Sequence, residues 1–399
     1  MNNVSVVNYR DCFSCRSCFL SCPKNAIEMI ENSEGFFYPF VNEDACINCG
    51  LCEKHCPVNF IFEKPKFNDT YAMILKDDSS LQNSTSGGVF YGFAKKILED
   101  GGVVFGAKLC DDFSVKHISI SSVNNLKDLQ GSKYVASDTR DTYYEVMNLL
   151  KKNTTVLYSG TPCQIAGVKA YLGKDYDNLY TVDLICHGTP SVKLFKLYIK
   201  WLEKKYKGTV IDYKFRNKEV STNCGQNVIF HIKKNNKVKK IVLSGLRDPF
   251  MYSFMNRHIQ RESCYKCKFM NINRISDCTI GDFWGIEKYH PDVDISKGVS
   301  VCIVNTVNGQ KLFEKSKDFF DLVKSDINYA CERNSHLYKI AEKTVQRANT
   351  YKSIERNFFN EKDFSHYNSV KFFLLMHVWS LLPKGLKKVI KGIAGKKNR

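Results

Sequence analysis

Along most of the chain, short apolar runs alternate with segments whose apolar residues recur at helical spacing. Short apolar runs are typical of buried strands, and apolar positions three or four residues apart are typical of helices with one buried face. Strands are predicted at residues 103–107, 115–122, 155–159, 179–186, 210–215, 227–233, 239–243 and 298–305. Helices are predicted at 87–98, 141–152, 163–172 and 190–206, and the chain beyond 309 is predicted to be mostly helical. This alternation predicts a mixed α/β (α+β) fold.

The same pattern divides the chain into segments. Residues 1–60 are too few for a conventional core, so we expect bound metal to supply much of their stability. Residues 61–68 contain Pro and Lys and are predicted to be a linker. The α/β region is predicted to have two parts, 69–150 and 151–310, followed by a helical basic tail at 311–399.

The first segment carries one cysteine run twice. The spacing C-x2-C-x2-C-x3-C-P occurs at Cys12, Cys15, Cys18 and Cys22, and again at Cys46, Cys49, Cys52 and Cys56. It is typical of two-cluster bacterial ferredoxins, in which the fourth cysteine of each run binds the other cluster. We therefore predict a ferredoxin-type domain with one [4Fe-4S] cluster on Cys12, Cys15, Cys18 and Cys56. The second cluster is assigned to Cys46, Cys49, Cys52 and Cys22.

Zinc is the main alternative for these thiols. Structural zinc sites usually take paired C-x2-C knuckles separated by a dozen or more residues, and a triple run closed by Pro fits that pattern poorly. Residues 1–11 have no apolar core of the kind found in signal peptides, so a cytoplasmic location is predicted. In that compartment clustered thiols indicate metal rather than disulfides.

The charge of the chain changes the expected partners only slightly. The formal net charge is +18, and three oxidised clusters with four thiolates each would reduce it to about +12. No basic face with interleaved aromatics and no nucleic-acid-binding signature precedes the C-terminus, so no nucleic acid partner is predicted. A redox partner protein or a small-molecule acceptor is expected instead.

The C-terminal segment has two interpretations. The longest apolar run, residues 372–382, has eleven residues and is too short to cross a bilayer. Within 384–393, apolar residues and lysines fall on opposite faces at helical spacing. This pattern is typical of a peripheral helix on an anionic membrane, and a solvated tail is the alternative.

Four further cysteines could form a third site. Cys163 and Cys186 lie at strand-to-helix turns, while Cys264 and Cys267 form a C-x2-C pair. Residues at such turns meet at the carboxyl end of a sheet, where α/β proteins bind ligands. A third [4Fe-4S] cluster, a zinc ion and buried structural thiols are all compatible with this spacing.

Four motifs of the α/β region resemble the coenzyme F-420 hydrogenase/dehydrogenase beta-subunit family. They are Ser-Thr-Ser-Gly-Gly at 84–88, Gly-Ser-Lys-Tyr-Val at 131–135, Ser-Gly-Thr-Pro-Cys-Gln at 159–164 and Ser-Asp-Cys-Thr-Ile-Gly-Asp-Phe-Trp-Gly at 276–285. The resemblance spans residues 70–310 approximately and implies an FAD-containing reductase with a [4Fe-4S] centre beside the flavin. Carried over residue by residue, it implies that the ligands of this centre are Cys163, Cys186, Cys264 and Cys267.

Residues 84–88 are the predicted anion site for the flavin. Gly87 and Gly88 would let the backbone approach a phosphate, the next helix would offer free N–H groups, and Ser84, Thr85 and Ser86 would add hydroxyls. An ordinary helix N-cap is the alternative.

Charged and titratable residues near these motifs supply further candidates. Lys133 is a candidate phosphate or ring contact, and His187 is a candidate proton donor with a structural hydrogen bond as its alternative. Arg216 and Arg261 are candidate contacts for an acidic substrate, or else surface salt bridges. The remaining cysteines are expected to be free thiols, most of them buried: Cys110, Cys224, Cys278, Cys302 and Cys331.

Together these features predict an iron–sulfur flavoprotein oxidoreductase. Clusters carry single electrons, and a flavin converts between one- and two-electron chemistry, so FAD would exchange a hydride with an organic substrate or a deazaflavin-like coenzyme. The alternative is an electron-transfer subunit that feeds a separate catalytic partner and has no substrate of its own.

Overall fold

The computed structural model describes residues 3–62, 67–219 and 227–360, together with Leu386. The basic segment at 384–393, apart from Leu386, and Cys224 lie outside the described residues, so the predictions made for them stay predictions. No helix in the described part of the chain is both long enough and apolar enough to cross a bilayer.

Residues 3–62 contain two short helices and one hairpin. The helices are α1, Ser17–Leu20, and α2, Leu51–Lys54; the strands are β1, Ile27–Glu31, and β2, Phe37–Val41. The strands pair antiparallel, with Ile27 opposite Val41. Each helix lies inside one of the two cysteine runs, so the sequence repeat is also a structural repeat.

The α/β region alternates strands and helices as the pattern predicts. Its strands are β3 Asp69–Leu75, β4 Val103–Leu109, β5 Val115–Ile120, β6 Ser137–Asp138, β7 Val156–Gly160, β8 Leu179–Leu184, β9 Thr209–Lys214, β10 Asn227–Lys234, β11 Lys237–Ser244, β12 Cys278–Asp282, β13 Ser300–Val304 and β14 Phe320–Ser325. Its α-helices are α3 Asp78–Asn83, α4 Val89–Glu99, α5 Thr142–Lys151, α6 Pro162–Leu172, α7 Val192–Tyr206, α8 Pro249–Met255, α9 Val307–Ser316, α10 Ile327–Arg333 and α11 Val345–Glu355. The mixed α/β fold is confirmed.

One mixed sheet organises this region. Among the described residues its strand order is β14-β3-β13-β12-β8-β7-β4-β5-β6. Strands β12, β8, β7 and β4 run parallel to one another, and β3 shares their direction because β13, between β3 and β12, is antiparallel to both. The carboxyl ends of these five strands therefore lie at one edge, which we call the carboxyl edge of the sheet.

A second core lies beneath the smaller sheet, whose order is β11-β10-β9. Helix α7 buries Phe195, Tyr198 and Leu202 in the same apolar cluster as Tyr213 of β9 and Phe230 of β10. These helix positions are three or four residues apart, so one face of α7 is apolar and packs against the strands.

Four strands of the main sheet did not appear in the predictions: β3, β6, β12 and β14. Strand β14 lies in the segment expected to be helical, at the edge of the sheet beside β3. Most of its residues are exposed, so no apolar run marks it. Strands β3 and β12 are largely buried, but β12 has the sequence Cys-Thr-Ile-Gly-Asp and β3 interrupts its apolar residues with Thr and Tyr.

The ferredoxin-type segment is docked firmly on the α/β region. Phe36, which is 1% exposed, enters the core beside α7. Arg347 of α11 binds both carboxylate oxygens of Glu34 at 2.9 and 2.7 Å, and a guanidinium nitrogen of the same Arg lies 2.7 Å from Glu262. On the other side of the segment, Arg16 pairs with Asp138 at 2.7 Å.

We expect Arg347→Met to loosen this docking. The substitution leaves Glu34 without its cation, whereas Glu262 keeps Lys343 at 2.7 Å. Breaking a buried pair by removing one partner costs at most about 3–5 kcal/mol. Anaerobic urea unfolding of the iron-loaded protein measures the change. Lys324→Ala is the matched control because Lys324 pairs with Asp69 at the surface, where such pairs contribute at most about 1 kcal/mol. Equal losses in the two variants would contradict a structural role for Arg347.

Candidate functional site

The first crossed set of cysteines surrounds one cavity. Cys12, Cys15, Cys18 and Cys56 all line a space of about 690 Å³, together with apolar residues of the hairpin. Three of these thiols come from the first run and the fourth comes from the second run. The fold therefore brings together, around this cavity, the four cysteines that the spacing predicts as ligands of one cluster.

The second crossed set surrounds a separate, smaller cavity. Its lining includes Cys46, Cys49 and Cys52 of the second run and Cys22 of the first. Cys49 is exposed, and neighbouring Ile47 is 58% exposed. This set is therefore the one nearer to solvent.

The backbone turns in the same way in both runs. Ser14 and Arg16 of the first run, and Asn48 and Gly50 of the second, all have φ between 53° and 75°, the left-handed region that reverses the chain over few residues. Backbone N–H groups then point at sulfur: Ser14 donates to Cys12 at 3.4 Å and Ala26 to Cys22 at 3.2 Å. Such bonds help to set cluster potentials.

Burial makes these thiols poor acids. It raises the pKa of Cys15 and Cys18 well above the usual range and that of Cys56 to about 11. A group of buried thiolates is stable only if a cation compensates them, and iron does so in a [4Fe-4S] cluster. The residues of the first set therefore fit a cluster.

A single metal ion fits less well. Within residues 3–62, 67–219 and 227–360, no three His, Cys, Asp or Glu side chains are arranged to hold one ion. A cubane binds its four thiolates through four different iron atoms, so it needs a wider ring of sulfurs than one tetrahedral zinc does.

The third set meets at the carboxyl edge of the sheet. Cys163 lies in the first turn of α6, directly after β7, and Cys186 follows the neighbouring parallel strand β8. Cys264 and Cys267 approach from a short 3-10 segment, Glu262–Lys266. Burial, and then the other thiols of the set, raise the pKa of Cys186 well above its usual range. The fold thus brings together the four cysteines implied by the family resemblance.

The first and third sets are neighbours. Helix α6, which begins beside Cys163, lies against Cys15: a Cβ atom on Gly167 would come within 2.9 Å of the Cβ of Cys15. Only glycine permits this approach. On the other side, the rings of Phe13 and Phe269 are 5.3 Å apart and join the loop of Cys12 to that of Cys267.

The predicted flavin segment also lies at the carboxyl edge, between β3 and α4. Its hydroxyls mostly serve the fold: Ser84 donates to the carbonyl of Ser80 at 2.8 Å and Ser86 to that of Val299 at 2.8 Å. Gly87 is required by packing, because its Cβ would lie 2.0 Å from the carbonyl oxygen of Met73. Three of the five residues expected to contact the flavin therefore make contacts within the fold instead.

Few hydrogen-bond donors of this segment remain available to a ligand. Helix α4 begins after Gly88 without a side-chain cap, so its first N–H groups are available to an anion. Thr85 accepts a hydrogen bond from Ser132 at 3.2 Å and keeps its own hydroxyl proton. Lys133 donates to the carbonyls of Asp128 and Gln130, and burial lowers its pKa to about 7.

The other candidates are placed as follows. His187 is exposed beside Cys186, and its ring lies 3.8 Å from that of His336. Arg216 binds Asp282 through two nitrogens, at 2.7 and 3.1 Å, in a nearly buried pair. Arg261 is 5% exposed, so the surface salt bridge considered for it is wrong.

The remaining cysteines in the described residues are free thiols. Cys278 and Cys302 are fully buried, as expected, on neighbouring strands β12 and β13, whereas Cys110 and Cys331 are partly exposed. Sequence reasoning did not identify Gly167 or Phe269 as parts of the site. Both act only through contacts with the distant loop of Cys12 and Cys15, and no local pattern marks such contacts.

Two family models match the chain. Residues 5–62 match the 4Fe-4S dicluster domain, and residues 153–327 match the family that is described as the C terminus of the coenzyme F420 hydrogenase/dehydrogenase beta subunit. Among solved structures, a chain of the F420-reducing [NiFe] hydrogenase complex from Methanosarcina barkeri is similar, with 16% identity and a TM-score of 0.44. That similarity covers 69% of this chain and 92% of the other.

Three curated relatives match short stretches of the chain. Ferredoxin-type protein NapF of Haemophilus influenzae is 49% identical over 47 residues, which are 12% of this chain and only 27% of NapF. An uncharacterized ferredoxin of Methanocaldococcus jannaschii is 31% identical over 67 residues, 16% of this chain and 86% of that protein. Pyruvate synthase subunit PorD of the same organism is 36% identical over 56 residues, 14% of this chain and 60% of PorD. The chain thus contains a region, residues 153–327, that matches the C terminus of the coenzyme F420 hydrogenase/dehydrogenase beta subunit, and a 4Fe-4S dicluster domain ahead of it at residues 5–62.

Proposed function

We propose that this chain is an iron–sulfur flavoprotein oxidoreductase. In this proposal three [4Fe-4S] clusters pass single electrons to or from FAD, and FAD reduces or oxidises an organic substrate or a deazaflavin-like coenzyme. The observation that carries the proposal is the arrangement of twelve cysteines in three sets, two around separate cavities and the third beside the first.

The proposed electron path begins at the set nearest to solvent. Cys49 and Ile47 are exposed there, so a redox partner protein can approach the cluster held by Cys22, Cys46, Cys49 and Cys52. The cluster of Cys12, Cys15, Cys18 and Cys56 comes next, within the same small domain. The third set follows, because α6 brings Cys163 close to Cys15.

The chain's own residues hold the third cluster and tune it. The N–H of Gly188 donates to Cys186 at 3.3 Å, and the hydroxyl of Thr161 lies 3.1 Å from the sulfur of Cys163. Hydrogen bonds of this kind favour the reduced cluster, since they stabilise the added negative charge. The third cluster therefore has specific partners on both βα turns.

FAD is proposed to bind at the carboxyl edge, with its phosphates at the start of α4. The free N–H groups of that helix and the Thr85 hydroxyl are the donors the chain offers there. When bound, flavin converts between one- and two-electron chemistry. His187, exposed beside Cys186, is the residue proposed to deliver a proton at this edge.

The alternative, an electron-transfer subunit that feeds a catalytic partner, is favoured by one observation. Ser84, Ser86 and Gly87 are engaged inside the fold, which leaves few donors for a flavin. Flavin content separates the two candidates: the flavoprotein holds about one FAD per chain, whereas a subunit without flavin reduces an artificial acceptor and turns over no small molecule.

Cys163→Ser should remove only the third cluster. Anaerobically purified wild-type protein is expected to hold about twelve irons per chain and the variant about eight, because each cluster has four irons. Cys110→Ser is the control, since Cys110 is a partly exposed thiol outside the three sets, and its iron should match the wild type. Unchanged iron in Cys163→Ser would show that the third set holds no cluster.

Thr85→Val should weaken FAD binding without changing iron content. Loss of one hydrogen bond to a charged phosphate costs roughly 1.5 kcal/mol, or about tenfold in affinity. Equilibrium titration of flavin-depleted protein measures this. Ser84→Ala is the control because the Ser84 hydroxyl already donates to a backbone carbonyl. If both variants bind FAD as the wild type does, the phosphates do not lie at Thr85.

A further inference from the structure

Exposed lysines are gathered at one end of the smaller sheet. The antiparallel pairing of β10 with β11 places Lys234 opposite Lys237, next to the turn that joins the two strands. The C-terminus of α7 lies against the same end, because a Cβ atom on Gly208 would come within 2.8 Å of the carbonyl oxygen of Lys233. The exposed lysines found there, which we call the basic tip, are Lys204, Lys207, Lys233, Lys234, Lys237 and Lys239.

The lysines of the basic tip have no acidic partner in the part of the chain that the structure describes. Lys214 and Lys240, farther along the same sheet, differ in this respect because they share Glu219. Glu203, the acid next to the tip in sequence, is used within the fold: its carboxylate accepts a hydrogen bond from the N–H of Val210 at 3.1 Å. The tip therefore presents concentrated positive charge to solvent.

Structural roles account for only part of this charge. Lysines at the C-terminus of a helix offset its dipole, which explains those of α7. Lysines on an edge strand discourage pairing with other chains, which explains those of β11. Lys233 and Lys234 lie on β10, the central strand of this sheet, where neither role applies. Their charge is available for an external partner.

The side chains around the lysines indicate which anionic partner fits. Val238 is 55% exposed and lies opposite Lys233 in the strand pairing. Residues 233–240 include no aromatic residue, whereas surfaces that bind single-stranded nucleic acid stack bases on aromatic rings. An exposed aliphatic side chain among lysines suits the headgroup layer of a bilayer, where the lysines meet lipid phosphates.

The described part of the chain ends beside the helix that carries part of the tip. The ring of Phe359 lies 5.5 Å from that of Trp201 in α7, and the Nζ atom of Lys205 lies 4.3 Å from the centre of the same Trp ring. The sequence that follows has an apolar run at 372–382, and residues 384–399 include seven basic residues and no acid. A second basic segment is therefore connected to the fold close to the first.

We propose that the basic tip is a docking surface for an anionic lipid bilayer. The lysines contact lipid phosphates, Val238 enters the headgroup layer, and the basic residues of 384–399 act on the same surface. Two linked basic segments bind more tightly than either alone, because the first to bind raises the effective concentration of the second at the bilayer. The inference concerns neither the clusters nor a flavin, so it stands apart from the proposed function.

The test is flotation of the iron-loaded full chain with vesicles of phosphatidylcholine, prepared with and without phosphatidylglycerol. We expect binding only to the vesicles that contain phosphatidylglycerol, and this binding should weaken as the salt concentration rises. Each lysine close to an anionic surface contributes about fivefold in affinity. The variant Lys233→Gln/Lys234→Gln/Lys237→Gln/Lys239→Gln should therefore bind at least about tenfold more weakly than the wild type.

The matched control removes the same amount of charge from the region of the main sheet. It replaces with Gln four exposed lysines that lie outside the basic tip: Lys127, Lys151, Lys152 and Lys174. Its affinity for the anionic vesicles should stay within about twofold of the wild type, because salt screens charges that lie more than about 10 Å from the bilayer. Equal iron content in the wild type and both variants shows that all three are folded alike.

Three results would overturn the proposal. The first is a wild-type chain that does not bind the anionic vesicles, and the second is an equal loss of affinity in the hairpin variant and the control. The third is unchanged binding by the hairpin variant when Lys387→Gln/Lys388→Gln/Lys391→Gln is weakened, which would assign the bilayer contact to residues 384–399 alone. Tighter binding to duplex DNA than to the anionic vesicles at the same salt concentration would also contradict it, and would assign the tip to nucleic acid.

Discussion

Burial of thiol groups is the constraint on which the rest of this structure depends. Burial raises the pKa of Cys15, Cys18 and Cys186 well above the ordinary range of a thiol, so these groups gain their ligand form only together with a cation. We therefore expect metal binding and folding to be coupled in the ferredoxin-type segment. Each of the two cavities is lined by thiols from both halves of the repeat. A cluster bound in either cavity would therefore hold the two halves together.

The docking of that segment fixes the distance between the first and third sets of cysteines. The entry of Phe36 into the core beside α7, together with the Arg347–Glu34 pair, holds the hairpin against the α/β region. Gly167 then lets helix α6 approach Cys15. A small ferredoxin on a flexible linker would sample many distances to the third set. Here the contacts maintain one arrangement, which is what sequential electron transfer requires.

The carboxyl edge of the sheet carries both the third set of thiols and the proposed anion site. It presents the βα turns of β7 and β8 to the third set of thiols and the start of α4 to a proposed anion. Residues 84–88 show how one motif serves both fold and site, because Gly87 packs on the carbonyl of Met73 while Gly88 begins an uncapped helix. Arg261 adds positive charge inside the protein, against the ring of Phe36.

The sequence by itself determined the short-range features: the repeated cysteine spacing, the alternation of strands and helices, and the motifs that carry the family resemblance. Each of these is encoded locally, by spacing, periodicity and turn geometry. Only the tertiary structure decided that Cys15 lies against α6, that the hydroxyl of Ser86 is used by Val299, and that Arg261 is buried against Phe36. These outcomes depend on contacts between segments more than a hundred residues apart in the chain, and local patterns carry no information about such contacts.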